Sequence, residues 1–256
     1  EMKRIMSRSF DVLKRSIIEL ITPDFRVPLA SVARYSGEFE QQIGEARTDD
    51  DLKASLLGIQ TSSIRLSRLI EDFIALAELK TGEANMAYDL RMSTISDIGL
   101  LLYETGQLFE SQAAQKGLRI VCPLAEDLPE ILGDRVTLTN SIQRLLDVGL
   151  SYYRPSLNSV NIELTAVYLP DEQEVRLSLQ FPFPLPPEEE ATIIQLLAVN
   201  DLELMTASHH LPGLSIVKGY LNLHNGRLLL RTSPTHFTFC MAIPSKEATS
   251  AYASTY

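Results

Sequence analysis

Imidazoles, thiols and carboxylates are the groups through which this chain could do chemistry, and they are unevenly placed. All four histidines, His209, His210, His224 and His236, fall after residue 208 of the 256. An imidazole nucleophile needs a carboxylate beside it to act as base. The long N-terminal stretch is rich in Asp and Glu but holds no histidine. Cys122 and Cys240 lie far apart in apolar, strand-like stretches with no metal-ligand spacing around either, so they read as buried thiols. Prolines and apolar residues stand beside several of the remaining polar groups. Pro23 precedes Asp24, Val148 follows Asp147, and Gln180-Phe181-Pro182-Phe183-Pro184-Leu185-Pro186-Pro187 carries four prolines in eight residues.

The elements that must position these residues follow from periodicity. In residues 1–82, Phe25, Leu29, Val32, Ser36, Phe39 and Ile43 recur at steps of three and four. Leu56, Ile59, Ser63, Leu66, Ile70, Phe73 and Ala77 do the same. Between the two sets, Thr48-Asp49-Asp50-Asp51 offers an N-cap and an acidic first turn, which predicts two helices in an antiparallel hairpin. A lone hairpin cannot bury such a stripe, and two copies forming a four-helix bundle would. A homodimer is therefore expected.

After Lys80-Thr81-Gly82 the pattern changes. Helices are expected over 94–116, 134–152, 188–206 and 212–223, and strands over 117–122, 158–168, 173–181, 227–232 and 236–243. Leu169-Pro170-Asp171-Glu172 reads as a hairpin turn and His224-Asn225-Gly226 as a second turn. The fold class is α+β: a helical hairpin over 1–82, then helices on one face of a largely antiparallel sheet over 83–245, and a disordered tail over 246–256. An apolar content of 45% supports cores of this size. The net charge of −10 argues against a nucleic-acid surface.

Four strings, in order, resemble those of the sensor histidine kinases. Arg26-Val27-Pro28-Leu29-Ala30-Ser31-Val32 looks like the segment after the phosphoaccepting histidine. Phe73 to Gly82 looks like the end of the second hairpin helix. Asp134-Arg135-Val136 through Leu145-Leu146-Asp147 looks like the asparagine-box helix. Gly213-Leu214-Ser215-Ile216-Val217-Lys218, followed by His224-Asn225-Gly226-Arg227, looks like the second glycine box and its sequel. The resemblance implies a dimerisation hairpin followed by an ATP-binding domain of the Bergerat (GHKL) type, an α/β sandwich.

Carried over residue by residue, the resemblance implies a degenerate member. The phosphoacceptor position holds Pro23, which has no nucleophile. Asp24 keeps the acidic position as a solvated helix charge, and Val27 stands where a polar residue would orient water. Mid-helix, Pro23 removes an amide donor and crowds the carbonyl of Glu19, which predicts a kink or break at Ile21–Pro23. The Mg²⁺-binding asparagine is replaced by Val148, a phosphate-facing basic residue by Ser151, and Asp147 sits at a variable position. The adenine-reading aspartate aligns near Gln180, and two flexible glycines become Pro182 and Pro184. Phe181 and Phe183 either fill the emptied adenine pocket or pack ordinarily under a rigid loop. Gly213 remains for helix packing, and His209 and His210, in what would be the ATP lid, read as surface residues.

The expected function is a pseudokinase of a two-component system. It acts through homodimerisation and through binding a response regulator or another histidine kinase, with no catalytic residue, metal or cofactor. The alternative is a divergent kinase that still binds ATP and Mg²⁺ and phosphorylates a partner. A sporulation-type phosphotransferase would need a hairpin histidine, and there is none. No run approaches the ~20 apolar residues of a membrane span, and Glu1-Met2-Lys3-Arg4 lacks a secretory apolar run. The segment reads as cytoplasmic, or as the cytoplasmic part of a longer sensor.

Overall fold

A computed structural model describes residues 26–44, 49–125, 127–153, 160–198 and 212–253. The chain divides into two compact units, Glu1–Thr81 and Gly82–Tyr256. Among the described residues no helix is long and apolar enough to cross a membrane. The bend expected at Ile21–Pro23, the residues Pro23 and Asp24, and the segment 199–211 with His209 and His210 lie outside the described residues.

In the first unit, α1 (Arg26–Gly44) and α2 (Asp49–Thr81) pack side by side. The short connection makes the pair an antiparallel hairpin. Small residues on α2 let α1 approach closely. Ser55 and Ser62 are buried, and a Cβ added at Gly58 would sit 2.7 Å from the Tyr35 ring. Large apolar side chains are left outside: Leu29, Leu56, Ile70 and Ile74 are all 44–50% exposed in the single chain. The apolar stripe read from the periodicity is thus only partly used by the hairpin itself.

The second unit begins at Gly82, which ends α2 in the left-handed region (φ 82°) and caps α3 (Glu83–Arg91). Then follow β1 (Ser93–Ile95), α4 (Ile98–Gln107), α5 (Glu110–Gln115), β2 (Arg119–Val121), β3 (Ile131–Gly133), α6 (Arg135–Ser151), β4 (Asn161–Leu169) and β5 (Glu174–Phe181). The series closes with α7 (Pro187–Ala198), α8 (Pro212–Leu223), β6 (Arg227–Thr232), β7 (Phe237–Pro244) and α9 (Lys246–Ala253). Five strands form a mixed sheet in the order β2-β4-β5-β7-β6, parallel only between β2 and β4, and β1 pairs with β3 separately.

The core lies between this sheet and the layer of α4, α6 and α8. Strand alternation sends Ile162, Leu164, Val175, Leu177, Leu179 and Phe181 into it. The 3.6 period of α6 sends Leu138, Ile142, Leu145 and Leu146 to meet them. Asp134 starts α6 as its N-cap, accepting the amide of Val136 at 2.9 Å.

Two expectations are corrected. The helix expected over 94–116 is strand β1 followed by α4 and α5, broken at Leu108–Phe109. Thr94 and Ile95 belong to a two-strand pairing with β3, a long-range partner that local periodicity does not reveal. The tail expected to be disordered after residue 245 forms α9. Ser245 opens it with hydrogen bonds to Ala248 and Thr249, and Lys246 reaches the backbone and the carboxylate of Glu130. Low local hydrophobicity hid a helix fixed by a cap and by contacts across the fold.

Candidate nucleotide-site region

Two places in the second unit gather the residues singled out from sequence: the C-terminal half of α6 with the first turn of α8, and the loop leaving β5. On α6, positions 144 and 148 face α8. A Cβ added at Gly213 would lie 3.4 Å from Val148 Cγ2 and 3.9 Å from Arg144 Cβ. Val148 and Gly213 therefore meet across a helix–helix contact with room for little more than a methyl group. Asp147 points elsewhere, accepting a 3.4 Å hydrogen bond from Gln112 Nε2 on α5. Ser151 is exposed and turns its hydroxyl back to the Val148 carbonyl at 2.6 Å, closing the last turn of the helix.

The end of β5 carries the aromatic residues. Phe181 is fully buried and Phe183 nearly so. Phe181 stacks on Phe237 of β7 with centroids 4.9 Å apart and planes 17° from parallel, and its edge meets Phe239 at 6.2 Å. Phe183 meets Phe237 and Tyr153 edge-on, each at 5.6 Å, and Tyr152 meets Phe237 at 6.2 Å. These are the offset and edge-to-face geometries that aromatic pairs favour. Against α6 the fit is closest at Gly149, where an added Cβ would fall 2.0 Å from Phe181 Cζ. No side chain larger than glycine's can occupy position 149 while the ring stays where it is.

Register decides which β5 residue faces the helices. Phe181 pairs with Phe237 and Gln180 with Thr238. Alternation puts Phe181 on the α6 side and Gln180 on the other. The resemblance puts the base-reading position near Gln180, whereas the side chain directed at α6 is that of Phe181. Phe237, Phe239, Tyr152, Tyr153 and Gly149 were not singled out from sequence. The alternating Phe237-Thr238-Phe239 was their available signal.

Beyond Phe183, Pro184, Leu185, Pro186 and Pro187 line a groove of about 600 Å³ with Glu190 and the β6–β7 turn. None of Val148, Ser151 or Gly213 lines it. On the other unit, Val27 is 57% exposed on α1. His224 is 2% exposed and bonded at both ring nitrogens, and Lys218 donates its ammonium to the Leu196 and Leu197 carbonyls that end α7. Burial lowers the pKa of both groups. Lys218 thus fastens the middle of α8 to the end of α7, and His224 fastens the end of α8 to the start of α6.

No protein-family model matches this sequence, and no curated protein matches it. Solved structures do. Histidine kinase ThkA, in a complex with the response regulator protein TrrA, matches with a TM-score of 0.57 and 17% identity over 96% of this chain and 64% of its own. Histidine kinase AdeS of Acinetobacter baumannii matches at 0.55 and 16% over 87% of this chain and 97% of its own. Full-length ShkA in complex with AMPPNP matches at 0.54 and 23% over 89% of this chain, which spans 45% of ShkA. At these identities the likeness is one of fold: the chain has the fold of these histidine kinase structures.

Proposed function

We propose that this chain is a histidine-kinase-like signalling module that has lost phosphotransfer and nucleotide handling. In this reading it acts by homodimerising through its hairpin and by binding a response regulator or another histidine kinase. The observation that carries the reading is the aromatic wedge of Phe181 and Phe183. It occupies the helix side of the sheet where a base-reading carboxylate and flexible glycines would be needed, and it is closed against Gly149. Val148, at the position of the metal-binding asparagine, has no oxygen to offer a hard cation and instead packs on Gly213. Pro182 and Pro184 fix φ and supply no amide for a phosphate.

Phosphoryl acceptance fails on a separate ground, since the hairpin contains no imidazole. The partner class is supported by fold likeness to ThkA, which was solved with its response regulator. Calorimetric titration of the protein with AMPPNP and Mg²⁺ tests the reading. The expected result is no saturable binding up to millimolar nucleotide, and a millimolar or tighter isotherm would overturn it in favour of a divergent, ATP-binding kinase.

A further inference from the structure

Side chains alternate along the loop that leaves β5. Phe183 and Leu185 are buried, while Pro184 and Pro187 are exposed and Pro186 is half-buried. The prolines thereby form a wall whose φ angles are fixed. The facing wall is the β6–β7 turn, Thr232-Ser233-Pro234. Ser233 Oγ holds that turn closed, accepting the His236 amide and donating to the His236 carbonyl, each at 3.0 Å. Thr232 Oγ1 joins the two walls by donating to Glu190 Oε1 at 2.6 Å. The groove of about 600 Å³ between them lies within the size range of ligand-binding clefts.

Its lining has a chemical bias. Pro184, Pro186, Pro187 and Pro234 have no backbone N–H, and the hydroxyls of Thr232 and Ser233 already donate, so the capacity left over is weighted toward acceptors. Glu190 adds charge. Its Oε2 takes no partner among the described residues, and no basic side chain lines the groove. Glu188 and Glu189 complement the dipole at the start of α7, which by itself would explain an acidic first turn. Glu190 goes further, because it reaches across the groove to the opposite wall.

We infer that this groove is a docking site for a short basic segment of a partner protein in which arginine stands beside tryptophan. Aromatic rings pack well on proline faces, the contact by which proline-rich segments are recognised. Arginine and tryptophan side chains carry donors and no acceptors, the complement of this lining, and the guanidinium also meets Glu190. Both walls are preformed, so docking orders little of the chain. The net charge of −10 further favours a basic segment over an acidic one. The site gives a place to the partner binding proposed above and rests on that reading.

NMR of the isotope-labelled full chain, titrated with the peptide acetyl-Gly-Arg-Trp-Arg-Gly-amide, tests it. The amides of Leu185, Glu188, Thr232, Ser233 and Thr235 should shift saturably, with a Kd of about 1 mM or tighter. Replacing both peptide arginines by glutamate, or its tryptophan by alanine, should weaken binding about tenfold or more. Glu190→Gln removes the charge while keeping an acceptor for Thr232, and should weaken the basic peptide about tenfold. Pro234→Ser, in an exposed turn, should weaken it as well. Absence of saturable shifts, an equal response to the glutamate peptide, or unchanged affinity in both variants would overturn the docking site. So would peptide-free shifts of the same amides as protein concentration rises, since they would mark the groove as a contact with a second copy. The AMPPNP titration is a separate readout, so a failed peptide titration leaves the loss of nucleotide handling standing.

Discussion

Gly149 and Phe181 show how closely a helix and a strand can meet at a single contact. The ring lies 2.0 Å from where a Cβ would be, too short for any relaxation confined to one rotamer. Gly149→Ala should therefore destabilise the second unit by about 2–3 kcal/mol through overpacking, read as a shift in the urea midpoint. Combining it with Phe181→Leu should recover part of the loss, because each change relieves the other. His224 gives a second expectation. Burial holds its folded pKa below the ordinary imidazole value, against the opposing pull of the Tyr220 carbonyl and of Asp134. Asp134 and Tyr88, with Arg91 behind the carboxylate, are the groups that face it. The unfolded chain thus binds a proton first as pH falls. The stability contribution is whole above about pH 6.5 and is lost below it, at a slope of up to about 1.4 kcal/mol per pH unit. Unfolding curves between pH 7.5 and 5 should flatten in His224→Asn.

Among the elements, the junction of α2 and α3 depends on the left-handed Gly82. Gly82→Asn should be tolerated and Gly82→Val should cost about 1–2 kcal/mol, since only the second meets the full steric penalty of αL. Thermal unfolding of the two variants side by side measures the difference. The same junction marks a limit of periodicity. The Lys80-Thr81-Gly82 stop was legible because glycine ends helices for a local reason. Strand β1 was not, because Ser93, Thr94 and Ile95 become a strand only by pairing with Gly133, Leu132 and Ile131 across the fold. Helix α9 was hidden likewise: its anchors, Ser245 and Glu130, are invisible to any window over 246–256.

For the whole molecule, the exposed Leu29, Leu56, Ile70 and Ile74 leave the hairpin with apolar surface that a second copy would cover. Light scattering should find a dimer, and Leu56→Glu/Ile70→Glu should shift it to monomer while leaving the helical circular-dichroism signal in place. Sequence alone determined the hairpin, most of the longer helices and strands that follow it, and the absence of an imidazole from the hairpin, because helix stripes, strand alternation and residue identity are local properties. The resemblance also singled out Val148, Pro182, Pro184 and Gly213. Tertiary structure decided which side chains those positions confront. That Phe181 rather than Gln180 faces α6 is a matter of strand register, and that Val148 meets Gly213 is a matter of helix packing. The role of His224 as a fastener for α3, α6 and α8 joins residues 88, 134, 220 and 224. A contact between such distant residues exists only once the chain has folded, so no local pattern encodes it.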